Sequence, residues 1–243
     1  MLFNTNVFIF VFLPVALTVF FIVRKRVGQD ASFFALFALS LLFYAWWDIR
    51  FLPLLVGSIL INLLMARRLA DTRSRGLLIV GIVFNLGLLG VFKYLNLFDS
   101  TLENLFGLGF GLPAITLPIG ISFYTFQQIA YLVDVYTRES VARPSLHKYG
   151  LFVSFFPQLI AGPIVHHKEM MSQFENPVDR DRLKQMVALG VIVFTIGLAK
   201  KVLIADPLGA VASPIFARAD VGGDIHFFIA WVGTLAYTFQ IYF

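Results

Sequence analysis

Residues 7–23 read VFIFVFLPVALTVFFIV, with no charge and no amide, and stretches of the same kind recur to the end of the chain. A run this apolar finds no place on the surface of a soluble domain. It comes close to the ~20 residues that a helix needs to cross a bilayer. The runs are continuous rather than alternating, which excludes the lipid-facing strands of a membrane barrel. Hydrophobic residues make up 59% of the 243, and mean hydropathy is +0.84, well beyond a soluble domain. The expected fold is all-α, a polytopic helical membrane protein.

About seven spans and one re-entrant segment are predicted. Arg24, Lys25 and Arg26 follow the 7–23 run instead of preceding it. That order is the reverse of a cleaved secretory signal, so this is a retained anchor with its N-terminus outside and its basic end in the cytoplasm. Residues 32–47 and 51–65 read as a hairpin joined by the polar turn Asp48, Ile49 and Arg50, followed by a basic loop of Arg67, Arg68, Arg73 and Arg75. The 77–97 run goes out again, with Asn85 near its middle and Lys93 near its end. A lysine at a helix centre costs roughly 2.5–3.5 kcal/mol, so Lys93 is placed at the interface. Residues 99–113 hold two acids and no Lys or Arg, as an outside loop allows. Their Gly107, Gly109 and Gly111 resemble a nucleotide loop, but no strand precedes them and no lysine follows at the required spacing.

Residues 117–136 return inward to Arg138, Arg143 and Lys148. The 149–165 run contains Pro157, Gly162 and Pro163. If it is re-entrant, Lys168, Arg180, Arg182 and Lys184 stay inside, and irregular backbone at depth is tolerated where protein buries it. Residues 174–184 are then cytoplasmic or lie along the interface. The 186–205 run is another span, and Lys200 and Lys201 near its far end contradict a simple positive-inside count. A link with Pro207 and Pro214 leads to the last span, 225–243. The chain stops inside that apolar run and reads as truncated. The net charge of +5 is spread over these loops and points to membrane orientation. The lipid bilayer is the expected partner and nucleic acid is not. With no cysteine, disulfides, thiolate metal sites and cysteine nucleophiles are excluded.

In 117–136, LPIGISFYTFQQIAYLVDVY, the polar residues are aligned. Tyr124, Gln127, Tyr131 and Asp134 stand at i, i+3, i+7 and i+10, on one helical face, while Phe123, Phe126, Ile129 and Val133 occupy other faces. Four polar groups aligned through a bilayer are costly unless they line a wet cavity or satisfy one another. The face is either a substrate path or inter-helix hydrogen-bonding glue. Of the histidines, His147 belongs to a basic loop and reads as solvated, and His226 opens the last span at the interface. His166 and His167 follow the Gly162, Pro163 bend. As neighbours they do not share a helix face and have no third ligand nearby, so an acid–base role is the functional reading for either and no metal site is expected. No hydrolase, metalloprotease or phosphate-loop signature is present.

Eight segments taken in order resemble one family: NVFIFVFLP at 6–14, FYAWW at 43–47, FKYLN at 92–96, LPIGISFYTFQ at 117–127, YLVDVY at 131–136, FFPQLIAGPIV at 155–165, KKVLIAD at 200–206 and LAYTFQIYF at 235–243. The chain is similar to the N-terminal half of a membrane-bound O-acyltransferase (MBOAT), nearest to the membrane component of bacterial alginate O-acetylation. Residues 1–243 are then the N-terminal part of one transmembrane domain. The resemblance implies a bacterial inner-membrane enzyme that takes an acetyl group from a cytoplasmic donor, acetyl-CoA. The group crosses the membrane, and extracytoplasmic polysaccharide-acetylation proteins deliver it to an exported polysaccharide. No bound cofactor is implied. The family's key histidine lies beyond Phe243, and none of His147, His166, His167 or His226 matches it, so residues 1–243 alone are expected to be inactive. The branch that serves D-alanylation of teichoic acids shares parts of the central motif and is one alternative. A transporter and a non-catalytic membrane scaffold are the others.

Overall fold

Apolar sequence with nowhere to send its backbone hydrogen bonds but into itself becomes helix, and the computed structural model shows only helices among the residues it describes, 3–106, 116–138, 145–160, 162, 165–176 and 180–243. Five stretches are long and apolar enough to cross a membrane: Phe8–Arg26, Gln29–Trp47, Ile49–Thr72, Arg75–Leu102 and Asp181–Asp220. They correspond to five of the expected spans. The other two, 117–136 and 225–243, contain helices of only 17 and 16 residues, Ile121–Thr137 and Phe227–Tyr242.

The chain forms two compact units, Met1–Asn176 and Pro177–Phe243. In the first, a π-helical turn (Phe8–Phe12) runs into α1 (Leu13–Arg26), followed by α2 (Gln29–Trp47), α3 (Leu52–Thr72), α4 (Arg75–Phe106) and α5 (Ile121–Thr137). Asp48 caps the turn into α3 by accepting from the backbone N–H of Arg50, while its carboxylate pairs with the Arg50 guanidinium at 2.7 Å. Arg73 ends α3 in the left-handed conformation, so only two residues, Arg73 and Ser74, separate α3 from α4. Contrary to the expected outside loop at 99–113, α4 runs on to Phe106, because nothing between Lys93 and Leu105 breaks a helix. Gly107, Gly109 and Gly111 lie outside the described residues.

The 149–165 segment is a broken helix: α6 (Leu146–Ser154), a kink at Phe155, then the single turn α7 (Phe156–Leu159). Pro157 has no N–H for the carbonyl of Val153, which forces the break. The freed groups find side chains. Gln127 Nε2 on α5 donates to the carbonyl of Phe152 at 2.9 Å, and the N–H of Phe156 donates to Ser40 Oγ on α2 at 3.3 Å. All of α6 from Tyr149 to Ser154 is buried. Gly150 allows this, since a Cβ there would lie 2.5 Å from the Phe37 ring. Gly120, at φ +73°, brings the start of α5 against α7, where a Cβ would lie 2.6 Å from the carbonyl of Leu159.

Asn62 and Asn85 exchange amide hydrogen bonds at 3.1 and 2.6 Å between α3 and α4, both fully buried. The polar thread continues through Ser58 to Gln128 (2.9 Å) and on to the Tyr149 hydroxyl (3.4 Å), so it joins α3, α4, α5 and α6.

In the second unit α9 (Arg180–Lys200), a π turn (Lys201–Ala205) and α10 (Asp206–Asp220) form one continuous helix before α11 (Phe227–Tyr242). The expected link at Pro207 is therefore helical. Pro207 falls in the first turn of α10, where its missing N–H is needed least, and the π turn just before it absorbs the change of register. Pro214 sits inside α10. Lys201 pairs with Asp206 and Lys200 covers the Phe243 ring at 5.9 Å, so both lysines that disturbed the charge count have partners.

Replacing Asn85 by Leu takes the donor from the amide oxygen of Asn62, while Asn62 Nδ2 still reaches the Ser58 carbonyl. It should cost about 1–3 kcal/mol of stability in detergent, and the double variant N62L/N85L should lose less than the sum of the two singles. Thermal unfolding of the four proteins of the cycle measures it, and strict additivity would remove the pair from the account.

Candidate functional site

Helix α5 presents its polar residues to protein. Tyr124, Gln127, Tyr131 and Asp134 are all buried, whereas Phe123, Phe126 and Val133 are exposed, as the helical spacing predicts. The four do different things. Gln127 holds the break between α6 and α7. The Tyr124 hydroxyl is buried and faces the equally buried hydroxyl of Tyr44 on α2, each acting on the other. The Tyr131 ring packs at a tilt against that of Tyr149, centroids 4.8 Å apart, and feels the charges of Arg67 on α3 and Asp134 one turn on. Asp134 reaches out of the helix to His166, with Oδ2 2.9 Å from Nδ1.

His166 caps α8 (His167–Glu175), and its carbonyl accepts the N–H groups of Glu169 and Met170. The two adjacent rings diverge. The Asp134 carboxylate is 8% exposed, the His166 side chain 59%. His167, only 3% exposed, enters a slot between Tyr131 (4.9 Å) and Phe152 (5.0 Å). Met170 and Met171 are buried beneath the same helix. Its far end is tied to the start of α2, where Gln29 Nε2 donates to the carbonyls of Phe174 and Glu175, both at 3.2 Å. Lys148 bridges Glu175 at 3.0 Å and Asp30 at 3.6 Å.

These contacts bring Tyr131, Asp134, His166 and His167 together with Arg67 nearby, at the end of the unit that also carries Arg24, Lys25, Arg26 and Arg138. The helical spacing pointed to Tyr131 and Asp134. It could not show that a segment 32 residues further on supplies the partner imidazole. Gln128, Ser58 and Tyr149 were missed, because each is a single polar residue in apolar sequence with no local pattern. His147 differs from the solvated loop residue expected of it. It lies in the first turn of α6, with Nε2 3.2 Å from Ser145 Oγ and 3.8 Å from Asp30, because α6 begins at Leu146 and draws the ring against α2. His226 caps α11, its Nδ1 accepting from the N–H of Phe228 at 3.4 Å. Pro163 lies outside the described residues, as does Arg143. A cleft of about 520 Å³ opens nearby between Gly28, Asp30, Lys148 and Glu175, and neither His166 nor His167 lines it.

Residues 137–243 match the family model of MBOAT, the membrane-bound O-acyltransferase family. Over its whole length the chain is 40% identical to the peptidoglycan O-acetyltransferase of Helicobacter pylori, covering 51% of that protein. It is likewise 40% identical to the probable alginate O-acetylase AlgI of Pseudomonas aeruginosa, covering 46%. The teichoic acid D-alanyltransferase of Streptococcus thermophilus is 27% identical over 51% of this chain and 30% of its own. The chain spans about half the length of the curated O-acetyltransferases it matches.

Burial pushes His167 down to about 4, against the opposing pull of Glu175 and Asp134. The ring is neutral when α8 is docked, and the unfolded chain takes up the proton first. The stability it contributes is complete above pH ~6.5 and is lost as pH falls toward 4, by about 3 kcal/mol at most. Acid unfolding of wild type and H167F in detergent tests this. The phenylalanine variant should lose that part of the pH dependence, and equal slopes between pH 6.5 and 4 would refute it.

Proposed function

Because the chain belongs to the membrane-bound O-acyltransferase family, we propose that it carries part of an enzyme that moves acetyl groups across the bacterial inner membrane for O-acetylation of an exported glycan. The observation that carries this reading is identity of 40% over the entire chain to two O-acetyltransferases. The physical chemistry is compatible with it. Acetyl-CoA, the proposed cytoplasmic donor, is too polar to cross lipid, so the acetyl group has to change carriers on a path lined by protein. Buried polar groups on α5, among them the Tyr124 hydroxyl that faces Tyr44, are what such a path needs. Tyr124, Gln127, Tyr131 and Asp134 are its proposed lining. Extracytoplasmic acetylation proteins and the exported glycan are the proposed partners.

Alginate is one acceptor. Peptidoglycan is the second, favoured by the equally high identity to the Helicobacter pylori protein. Deleting the gene from its bacterium and measuring ester-linked acetate separately in exopolysaccharide and in muropeptides distinguishes the two. The expected result is loss from one of the pools, restored by the complete gene product and not by residues 1–243 alone. Acetate unchanged in both pools would remove the acetylation reading.

The N-terminus is proposed to lie outside, with Arg24–Arg26 and Arg67–Arg75 in the cytoplasm. Helix α4 has 32 residues, about 48 Å, more than a hydrocarbon core of ~30 Å. Cysteines placed at Thr72 and at Thr101 in this cysteine-free chain should therefore react with an impermeant maleimide from opposite sides: Thr101→Cys in intact spheroplasts, Thr72→Cys only after lysis. Labelling of both before lysis would overturn the orientation.

A further inference from the structure

Asp134 and His166 are arranged as proton-transfer groups are. A buried carboxylate holds Nδ1 of the ring at 2.9 Å while most of the imidazole stays exposed. A carboxylate at Nδ1 keeps the proton on that nitrogen and makes Nε2 the atom that gains and loses one. The ring is also fixed from behind. Its residue caps α8 through two backbone hydrogen bonds, and the next residue, His167, is wedged between Tyr131 and Phe152. Attachment of α8 does not depend on the pair, since Met170 and Met171 are buried beneath it and Gln29 clamps its far end. Burying a carboxylate to hold a half-exposed ring costs desolvation that packing alone does not require.

Building on the acyl-transfer reading, we propose that His166, positioned by Asp134, is the general acid for the thiol leaving group of the acyl thioester donor. The pair stands at the end of the unit where the basic residues gather, the side from which an anionic donor is attracted. As the acceptor oxygen bonds to the acyl carbon, the carbon–sulfur bond breaks and its electron pair stays on sulfur. Protonated Nε2 gives its proton to that sulfur, leaving a neutral imidazole and a free thiol. The acceptor's hydroxyl proton leaves to water, and water on the exposed edge of the ring returns a proton to Nε2, so the cycle consumes no net proton. Asp134 touches no reacting atom; it orients the ring and stabilises its charged form.

The test uses the complete gene product in vesicles, with acetyl-CoA inside the reaction mixture and thiol release read per folded molecule. H166A should lose about 100-fold in rate and regain part of it when free imidazole is added. H166Q, which can still hydrogen-bond Asp134, should fold normally and be equally slow. D134N should move the alkaline limb of the pH–rate profile to lower pH, because without the anion the imidazolium gives up its proton sooner. Wild-type thiol release by H166Q, or slow variants with no imidazole rescue and an unmoved D134N profile, would overturn the proposal and leave the pair as a clasp on α8. No thiol release from the wild-type protein would overturn the acyl-transfer reading and this proposal with it.

Discussion

The first unit depends on how the backbone ends at Phe155 are satisfied. Lipid offers no hydrogen bonds, so a helix that breaks among apolar side chains must find donors and acceptors in protein. The carbonyl of Phe152 receives the Gln127 amide and the N–H of Phe156 reaches Ser40. Those two bonds are made from different helices, α5 and α2. They hold both against the broken segment, and the close approaches at Gly120 and Gly150 follow from the same contact. Pro157 breaks the helix in any case, and without Gln127 and Ser40 the freed groups of Phe152 and Phe156 would be buried without these partners.

The break also sets the site. A straight helix from Leu146 would continue in one direction past Ser154. Beyond the break, His166 and His167 lie beside Asp134 and Tyr131 on α5. The polar thread from Asn85 through Ser58 and Gln128 to Tyr149 then locks α3 and α4 to the same α5–α6 pair. Fold and site thus share one group of residues: Tyr149 belongs to the thread by its hydroxyl and to the site by its ring.

Most of the helices were legible because lipid-facing sequence is monotonous and charges mark its ends. The face of α5 was legible for the same reason, since four polar residues at helical spacing stand out against Phe and Ile. The interior was harder to read. Gln128 lies one residue from Gln127 and falls on a different side of the helix, so nothing local says that Ser58, seventy residues earlier, accepts from it. The Asp134–His166 pair is equally non-local. Residues 99–106 and the stretch after Pro207 were misread because acidic residues and prolines are boundary signals on average. Here the helix simply continues through residues 99–106, and Pro207 occupies the first turn of another.

The Asn62–Asn85 pair has a consequence for how the chain is made. Each asparagine, entering the bilayer alone, would keep its bond to a carbonyl of its own helix, Ser58 for Asn62 and Gly81 for Asn85, but would carry an unanswered amide oxygen into hydrocarbon. The connection between the two helices is two residues long. The second asparagine therefore emerges from the ribosome soon after the first and is bound to end up at the same depth. The economical course for the insertion machinery is to retain the first helix until the second arrives and release them laterally together, a hairpin already zipped by its amides. Every later helix of this unit is then added to a pre-paired nucleus.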